Sequence, residues 1–252
     1  MRVTLNEIPR LIKERPELLR GCIVDTNAVF AASMPLDRLN TWAEEVFLRF
    51  RDYKIPVYSN LNIRSEFIDL HRRVLIPEGL VSLFDATDSD VSLSLELRTQ
   101  LKLLKSAKKK ATEAKKLFKF NDQQLKKFRR MMSVPRLDPS KPIVWESFCK
   151  DYFYSYLSRA WDSTLETYGI QFLGTREIES GEHFTKRPSW KDMTDIVGRY
   201  GIGSTDAMII NFFLCSKFSM LVTGDEDVAY VVERLAPDSR IVLVCDDGTE
   251  AA

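Results

Sequence analysis

Four carboxylates sit where an acid is either costly or purposeful. Asp25 ends the apolar run Cys22-Ile23-Val24, and Asp225 stands one glycine beyond the run Met220 to Thr223. Residues at the carboxyl ends of parallel strands face a ligand crevice, so both acids are expected at one edge of a sheet. Asp206 follows Gly201-Ile202-Gly203-Ser204-Thr205, which opens a helix with Ser204 or Thr205 as its expected cap. The helix dipole favours an anion in that first turn. Asp206 also shares a face with Ile209, Ile210 and Phe213, where a carboxylate is expensive unless paired or metal-bound. Glu66 lies beside Ile63 and Leu70, at the edge of a buried helical stripe. Asp227 and Glu226 are auxiliaries to Asp225, while Thr26 and Thr223 could orient the carboxylates by hydrogen bonds. The plainer alternatives are a capping role for Asp206 and a solvated edge position for Glu66. Clustered carboxylates without nearby His or Cys suit Mg²⁺ or Mn²⁺ better than zinc. Such ions lower the pKa of water and stabilise in-line displacement at phosphate.

The elements that must position these acids alternate. Short apolar runs at 21–26, 56–58, 170–173, 220–223 and 241–244 read as strands. Between them, helical spacing marks Leu39–Phe50 (stripe Trp42, Val46, Phe50), Leu61–Val74 (stripe Ile63, Phe67, Leu70, Val74), Trp190–Tyr200 ending at Gly201, Thr205–Lys217 and Asp227–Leu235. Strands alternating with helices predict a parallel α/β sheet. Residues 76–164 break the alternation with helix after helix and read as an all-α insertion. The predicted organisation is a helical segment at 1–19, a discontinuous core at 20–75 and 165–248, and the insertion at 76–164.

The insertion carries the charge. Residues 97–130 hold thirteen Lys/Arg against two acids, Glu113 and Asp122, a local charge of +11; the rest of the chain, with 24 bases and 34 acids, is −10. The bases are Arg98, Lys102, Lys105, Lys108, Lys109, Lys110, Lys115, Lys116, Lys119, Lys126, Lys127, Arg129 and Arg130. They surround a stripe running from Leu97 through Leu101, Leu104, Ala107, Ala111 and Ala114 to Leu125, Phe128 and Met132. Asn121 interrupts the stripe, and Asn121-Asp122-Gln123-Gln124 resembles a new N-cap with Gln at the third helical position. One helix broken near 121 and two helices fit equally well. A basic block beside an acidic body points to a polyanion partner or to self-docking; a solvated helix face is the bland reading. Phe118, Phe120, Phe128, Trp145, Tyr152 and Tyr154 could stack on bases, although insertion core is the commoner role for such residues.

Composition narrows the classes. Two His (His71 and His183) leave little imidazole chemistry, and the Cys at 22, 149, 215 and 245 form neither a CxxC pair nor a secreted disulfide framework. The charged opening MRVTLNEIPRLIKERPELLRG lacks a signal-peptide core, and no apolar run approaches the ~18 residues of a membrane span. The expected location is the reducing cytoplasm, with no membrane partner.

Taken in order, four segments resemble the PIN-domain nucleases, including the VapC-type toxins. They are Ile23-Val24-Asp25-Thr26-Asn27, Arg64-Ser65-Glu66-Phe67, Tyr200 through Ile209 and Leu221 through Asp227. The resemblance covers about residues 20–75 and 165–246. It implies a five-stranded parallel sheet flanked by helices, and Mg²⁺- or Mn²⁺-dependent hydrolysis of RNA phosphodiester bonds. It makes Asp25, Glu66, Asp206 and Asp225 the metal-binding and catalytic acids, with Asp227 as a further metal-site acid acting through the second shell. Thr26, Asn27 and Thr223 match supporting positions. It also implies RNA as substrate, an antitoxin or other inhibitory protein as a candidate partner, and a homodimer as a candidate assembly. Val228 stands where the toxins often carry Phe, and those small toxins lack so long an insertion. An RNA-binding or scaffold protein on a degenerate PIN core is the main alternative. A haloacid-dehalogenase-type phosphatase would need a second Asp where this chain has Asn27, and structure-specific 5′ nucleases usually carry more carboxylates.

Overall fold

The computed structural model describes residues 1–86, 93–133, 145–237 and 239–245, apart from the side chain of Ser158. The predicted insertion residues 87–92 and 134–144, and the predicted core residues 246–248, lie outside them. The chain divides into two compact units. One comprises Met1–Pro35, Leu39–Phe67 and Ser163–Ala252; the other comprises Leu36–Arg38 and Ile68–Asp162.

The first unit is α/β, with a single all-parallel six-stranded sheet flanked by helices. Its strands are β1 (Arg2–Val3), β2 (Cys22–Val24), β3 (Val57–Asn60), β4 (Ile170–Leu173), β5 (Met220–Val222) and β6 (Ile241–Leu243), in the order β1-β6-β5-β2-β3-β4. Every residue of β2, β3, β5 and β6 is buried, as expected for parallel strands covered on both faces. The resemblance implied five strands; the sixth is β1, inside the stretch predicted as wholly helical at 1–19. Two residues are too few to show a period. Pairing forms this strand instead: Arg2 lies level with Val242, Val244 N–H donates to Val3 at 3.1 Å, and Arg2 binds Glu233 at 2.9 Å.

Helices connect the strands. They are α1 (Ile8–Glu14), α2 (Thr26–Ser33), α3 (Asn40–Asp52), α4 (Leu61–Ala86), α9 (Thr175–Ser180), α10 (Trp190–Tyr200), α11 (Ser204–Cys215) and α12 (Glu226–Leu235); the four helices between Ala86 and Thr175 lie in the second unit or lead out of it. The buried side of α3 is Ala43, Val46, Phe47 and Phe50. Trp42, predicted within that stripe, is only half-buried because the apolar arc is centred one position later. Gly201, at φ 68°, ends α10 in the left-handed conformation, where it serves as the helix stop.

The second unit is helical: α5 (Leu95–Glu113), α6 (Asp122–Ser133), α7 (Trp145–Cys149), a π-helical turn at Lys150–Tyr154 and α8 (Ser155–Tyr168) as far as Asp162, with α4 supplying residues from Ile68 onward. The basic stretch is therefore two helices. Asn121 N–H donates to Gln124 Oε1 and Gln124 N–H to Asn121 Oδ1, both at 2.9 Å, which closes a reciprocal capping box. α4 runs 26 residues and passes through Pro77. Pro77 has no N–H, so the Arg73 carbonyl loses its helical donor. Phe120 N–H fills the place at 2.9 Å, pinning the α5–α6 connection to α4. The core gathers Leu80, Leu97, Leu101, Phe120, Phe128 and Phe148. Ala107 and Ala114 are exposed and Ala111 half-buried, so the predicted stripe leaves the core after Leu104 and rejoins it on α6, where Leu125, Phe128 and Met132 are buried. No helix among the described residues is long and apolar enough to cross a membrane.

Candidate active site

Strand order decides where a ligand could lie. From β2 the chain winds one way to β3 and β4, then crosses back to β5 and β6 on the other side of β2. The β2–β5 seam is thus the topological switch point, where the carboxyl ends of the strands open a crevice. Asp25 follows β2 and Asp225 follows β5, so both loops border that crevice.

Asp25 is 3% exposed and caps α2. Its Oδ1 accepts from Thr26 N–H at 2.6 Å; its Oδ2 accepts from Thr223 Oγ1 at 2.6 Å and from Asn27 Nδ2 at 2.9 Å. Asn27 Oδ1 accepts from Gly224 N–H at 2.9 Å, and Thr223 Oγ1 accepts from Asp225 N–H at 3.0 Å. These bonds stitch the β2 and β5 loops together across the seam. Asp225 in turn caps α12, accepting from Asp227 N–H at 2.8 Å and Val228 N–H at 3.3 Å. Of the predicted supporters, Thr223 and Asn27 use their side chains. Thr26 contributes its amide; its buried hydroxyl has no hydrogen-bond partner among the described residues.

Asp206 is half-buried in the first turn of α11. The predicted caps Ser204 and Thr205 do not act as such: Gly203 is the N-cap, with no side-chain bond, and Ser204 already belongs to the helix. The Asp206 carboxylate folds back over this glycine. A Cβ on Gly203 would stand 2.9 Å from Asp206 Oδ2, so any larger residue there would make the carboxylate shift. Glu66 is half-buried in the second turn of α4, whose start is capped by Asn60 Oδ1 accepting from Asn62 N–H at 2.9 Å and Ile63 N–H at 3.1 Å. Asn60 ends β3. Ile23 pairs with Tyr58, so Asn60 comes level with Asp25 as the two chains leave the sheet.

The acids feel one another. Burial pushes the Asp25 carboxyl up to about 7; the Thr223 hydroxyl opposes this, and the charges of Glu66 and Asp206 add to it. Burial likewise lifts Asp206 to about 6, followed by the charges of Glu66, Asp225 and Asp227. Four segments distant in sequence therefore share one negative field. Asp227 is exposed at its rim. Among the described residues, no group of three or more His, Cys, Asp or Glu side chains is drawn together closely enough to hold a metal ion as it stands.

The basic residues all lie in the second unit. Part of their charge is compensated there: Lys105 binds Asp85 at 2.6 Å, Lys108 meets Glu78 at 3.5 Å, and Lys109 meets Glu113 at 3.8 Å. Lys127 Nζ donates to Gln100 Oε1 at 2.7 Å. Lys102, Lys110, Lys115, Lys116, Lys119, Lys126, Arg129 and Arg130 are exposed. Of the aromatics considered for stacking, Phe120 and Phe128 are buried and stacked on each other, Phe118 and Trp145 are half-buried, and Tyr152 and Tyr154 are exposed. Sequence reasoning missed Asn60 and Gly203. An Asn between a strand and a helical stripe was a readable cap signal; the carboxylate's approach to Gly203 was not, because it depends on a rotamer.

Comparison with protein-family models, with curated proteins and with solved structures finds no match to this chain.

Proposed function

We propose that this chain is a Mg²⁺- or Mn²⁺-dependent endoribonuclease with a PIN-type core. The observation that carries the reading is the shared field of Asp25, Glu66, Asp206 and Asp225 beside the switch-point crevice. Their donor atoms are all oxygens, the chemistry hard divalent cations take. Burial is the main force raising Asp25 and Asp206, and the charges of the neighbouring carboxylates add to it; a cation would relieve that repulsion, with side-chain movement drawing the acids onto it. Asp25, Glu66, Asp206 and Asp225 would bind it, with Asp227 at the rim. When bound, the cation supplies a lowered pKa for water and charge neutralisation at the scissile phosphate. The chain's own part is positional. Thr223, Asn27 and the Thr26 amide fix the Asp25 carboxylate, and the Asp225–α12 cap fixes the loop beside it. The exposed bases of α5 and α6 would gather the RNA backbone. A binder on a degenerate core would gain nothing from an anionic crevice, which favours the enzyme.

The test is cleavage of labelled single-stranded and structured RNAs with Mn²⁺, Mg²⁺ or EDTA, beside an Asp25→Asn/Asp206→Asn double variant. Metal-dependent cutting that disappears in the folded variant is expected. Equal cutting by both proteins would refute the site, and RNA binding without cutting would favour the binder.

A further inference from the structure

A second feature of the first unit is built partly on α4 and α11, the helices that carry Glu66 and Asp206. Trp190, the first residue of α10, is 71% exposed although it is the largest apolar side chain available. It lines a cavity of about 130 Å³ whose other walls include Asn62, Pro188, Met193, Met208 and Phe212. The pocket is largely apolar, and Asn62 and the exposed Trp190 are among the residues that line it. Cations flank its lining residues in sequence: Lys186, Arg187 and Lys191 lie in the stretch Lys186-Arg187-Pro188-Ser189-Trp190-Lys191, all exposed. Lys186 is held by Asp192 at 2.8 Å, while Arg187 stands 4.0 Å from Glu179. The Ser189 hydroxyl caps α10 by accepting from Asp192 N–H at 3.1 Å, and the Asn211 amide holds the Ser189 carbonyl at 2.8 Å, so the rim is built and not merely loose.

We infer that this pocket takes one unpaired nucleobase of an RNA strand, stacked on Trp190 and held at its edge by Asn62, with Arg187 and Lys191 on the flanking phosphates. This rests on the nuclease reading. Aromatic faces and carboxamides are the groups that hold splayed-out bases, and cations beside them follow the backbone. A peptide would have less use for three cations around a flat apolar slot. Placement links the pocket to the acids through α4, where Asn62 lies one turn before Glu66 and shares its face. A nucleotide seated here puts the next phosphodiester of its strand beside the acidic crevice. The pocket would thus set which linkage is cut, relative to an unpaired base.

The experiment uses full-length Asp25→Asn protein, expected to bind without cutting, and fluorescein-labelled single-stranded RNA octamers. One set is intact and one carries an abasic position moved along the strand. Trp190→Ala is expected to weaken binding of the intact strand roughly tenfold, with Trp190→Phe restoring most of it. At one position the abasic strand should bind as weakly as that variant, and Trp190→Ala should cost nothing further there. The exposure of Trp190 leaves the fold intact, which circular dichroism checks. Equal affinity of the Trp190→Ala protein and its parent for every strand would overturn the pocket, and continued cutting by wild-type protein would then leave the nuclease standing. A positive cycle in a protein that never cuts would keep the pocket and refute the nuclease. Wild-type protein that neither binds nor cuts RNA would overturn both.

Discussion

The two units handle charge in opposite ways. In the α/β unit, acids are placed where folding must work against them: Asp25 is buried at 3% exposure, Asp206 is half-buried, and both face other carboxylates. In the helical unit the charges stay outside a core of Leu and Phe, and several are matched by nearby acids. Asp69, Arg72 and Arg73 illustrate the second pattern. The carboxylate accepts from Arg73 at 2.7 Å. Burial pushes it up, but hydrogen bonds and charge from the two guanidiniums outweigh this and hold it below its ordinary range. Buried carboxylates raised by burial and by one another in one unit, against matched charge in the other, support the proposal that the first unit holds the site.

The largest effect expected on this contrast comes from Asp25. Asp25→Asn should lower RNA turnover about 10³-fold or more while making the metal-free protein more stable at pH 8. The sign follows from proton counts. The folded carboxyl titrates near 7 and the unfolded one near 3.8, so the folded protein holds the extra proton between those values. Stability from this group is therefore greatest at low pH and falls as pH rises from about 4 to about 7, each tenfold in proton affinity being worth about 1.4 kcal/mol. Asp206 acts in the same direction up to about 6. Thermal melts in EDTA from pH 5 to 8 should show a midpoint that drops with pH in the wild type, less so in Asp25→Asn, and that Mn²⁺ restores only in the wild type. A variant less stable at pH 8 would break the contrast.

The helical unit should respond to packing instead. Phe120→Ala removes a side chain at 2% exposure that stacks on Phe128 with 5.2 Å between ring centroids. Its removal should cost about 3–5 kcal/mol, read from urea midpoints. The pH dependence of that cost should be flat between 5 and 8, since no carboxyl with a raised pKa is removed.

How much of this was legible varied with the kind of signal. The β2 and β5 runs ending in Asp25 and Asp225 were readable because burial on both faces leaves an unbroken apolar string. The seam that joins them was not, since strand order is a long-range property. β1 was hidden by its length, and α4 was predicted to stop at Val74 but continues to Ala86 past Pro77. The sequence could not show that Phe120 N–H would satisfy the carbonyl that Pro77 leaves open. Asp206 was expected in a first turn and lies there, but the expected caps gave way to Gly203, whose missing Cβ makes room for the carboxylate. Asn121 and Gln124 were legible because a capping box is wholly local.

A smaller effect sharpens the comparison within the α/β unit. Arg240 closes the end of α11, donating to the carbonyls of Ser216 at 2.8 Å and Leu214 at 3.3 Å and to that of Phe218, with its guanidinium 5.1 Å over the Phe213 ring. Arg240→Met keeps the stem and loses the donors. It should cost about 1–3 kcal/mol and leave metal-dependent cleavage per folded molecule unchanged, because the other end of the helix carries Asp206. A fall in turnover without a fall in stability would instead couple the two ends.

The smallest effect on stability is expected where charge is densest. Lys108, Lys109 and Lys110 occupy one turn of α5, and the first two meet acids only at 3.5 Å and 3.8 Å. Exposed pairs of this kind are worth about 0.5 kcal/mol or less each, so the triple change to Gln should shift the urea midpoint little. RNA binding should move far more. Every phosphate that a lysine no longer neutralises lowers the slope of log affinity against log salt by about 0.7 for a single strand. Two or three such phosphates would be plain in a titration from about 50 to about 300 mM NaCl. An unchanged slope would make these lysines a solvated helix face and shift the electrostatic capture of RNA to the cations around Trp190. A reduced slope with intact stability would mean that the helical unit keeps its charge for a partner, while the α/β unit keeps its charge for chemistry.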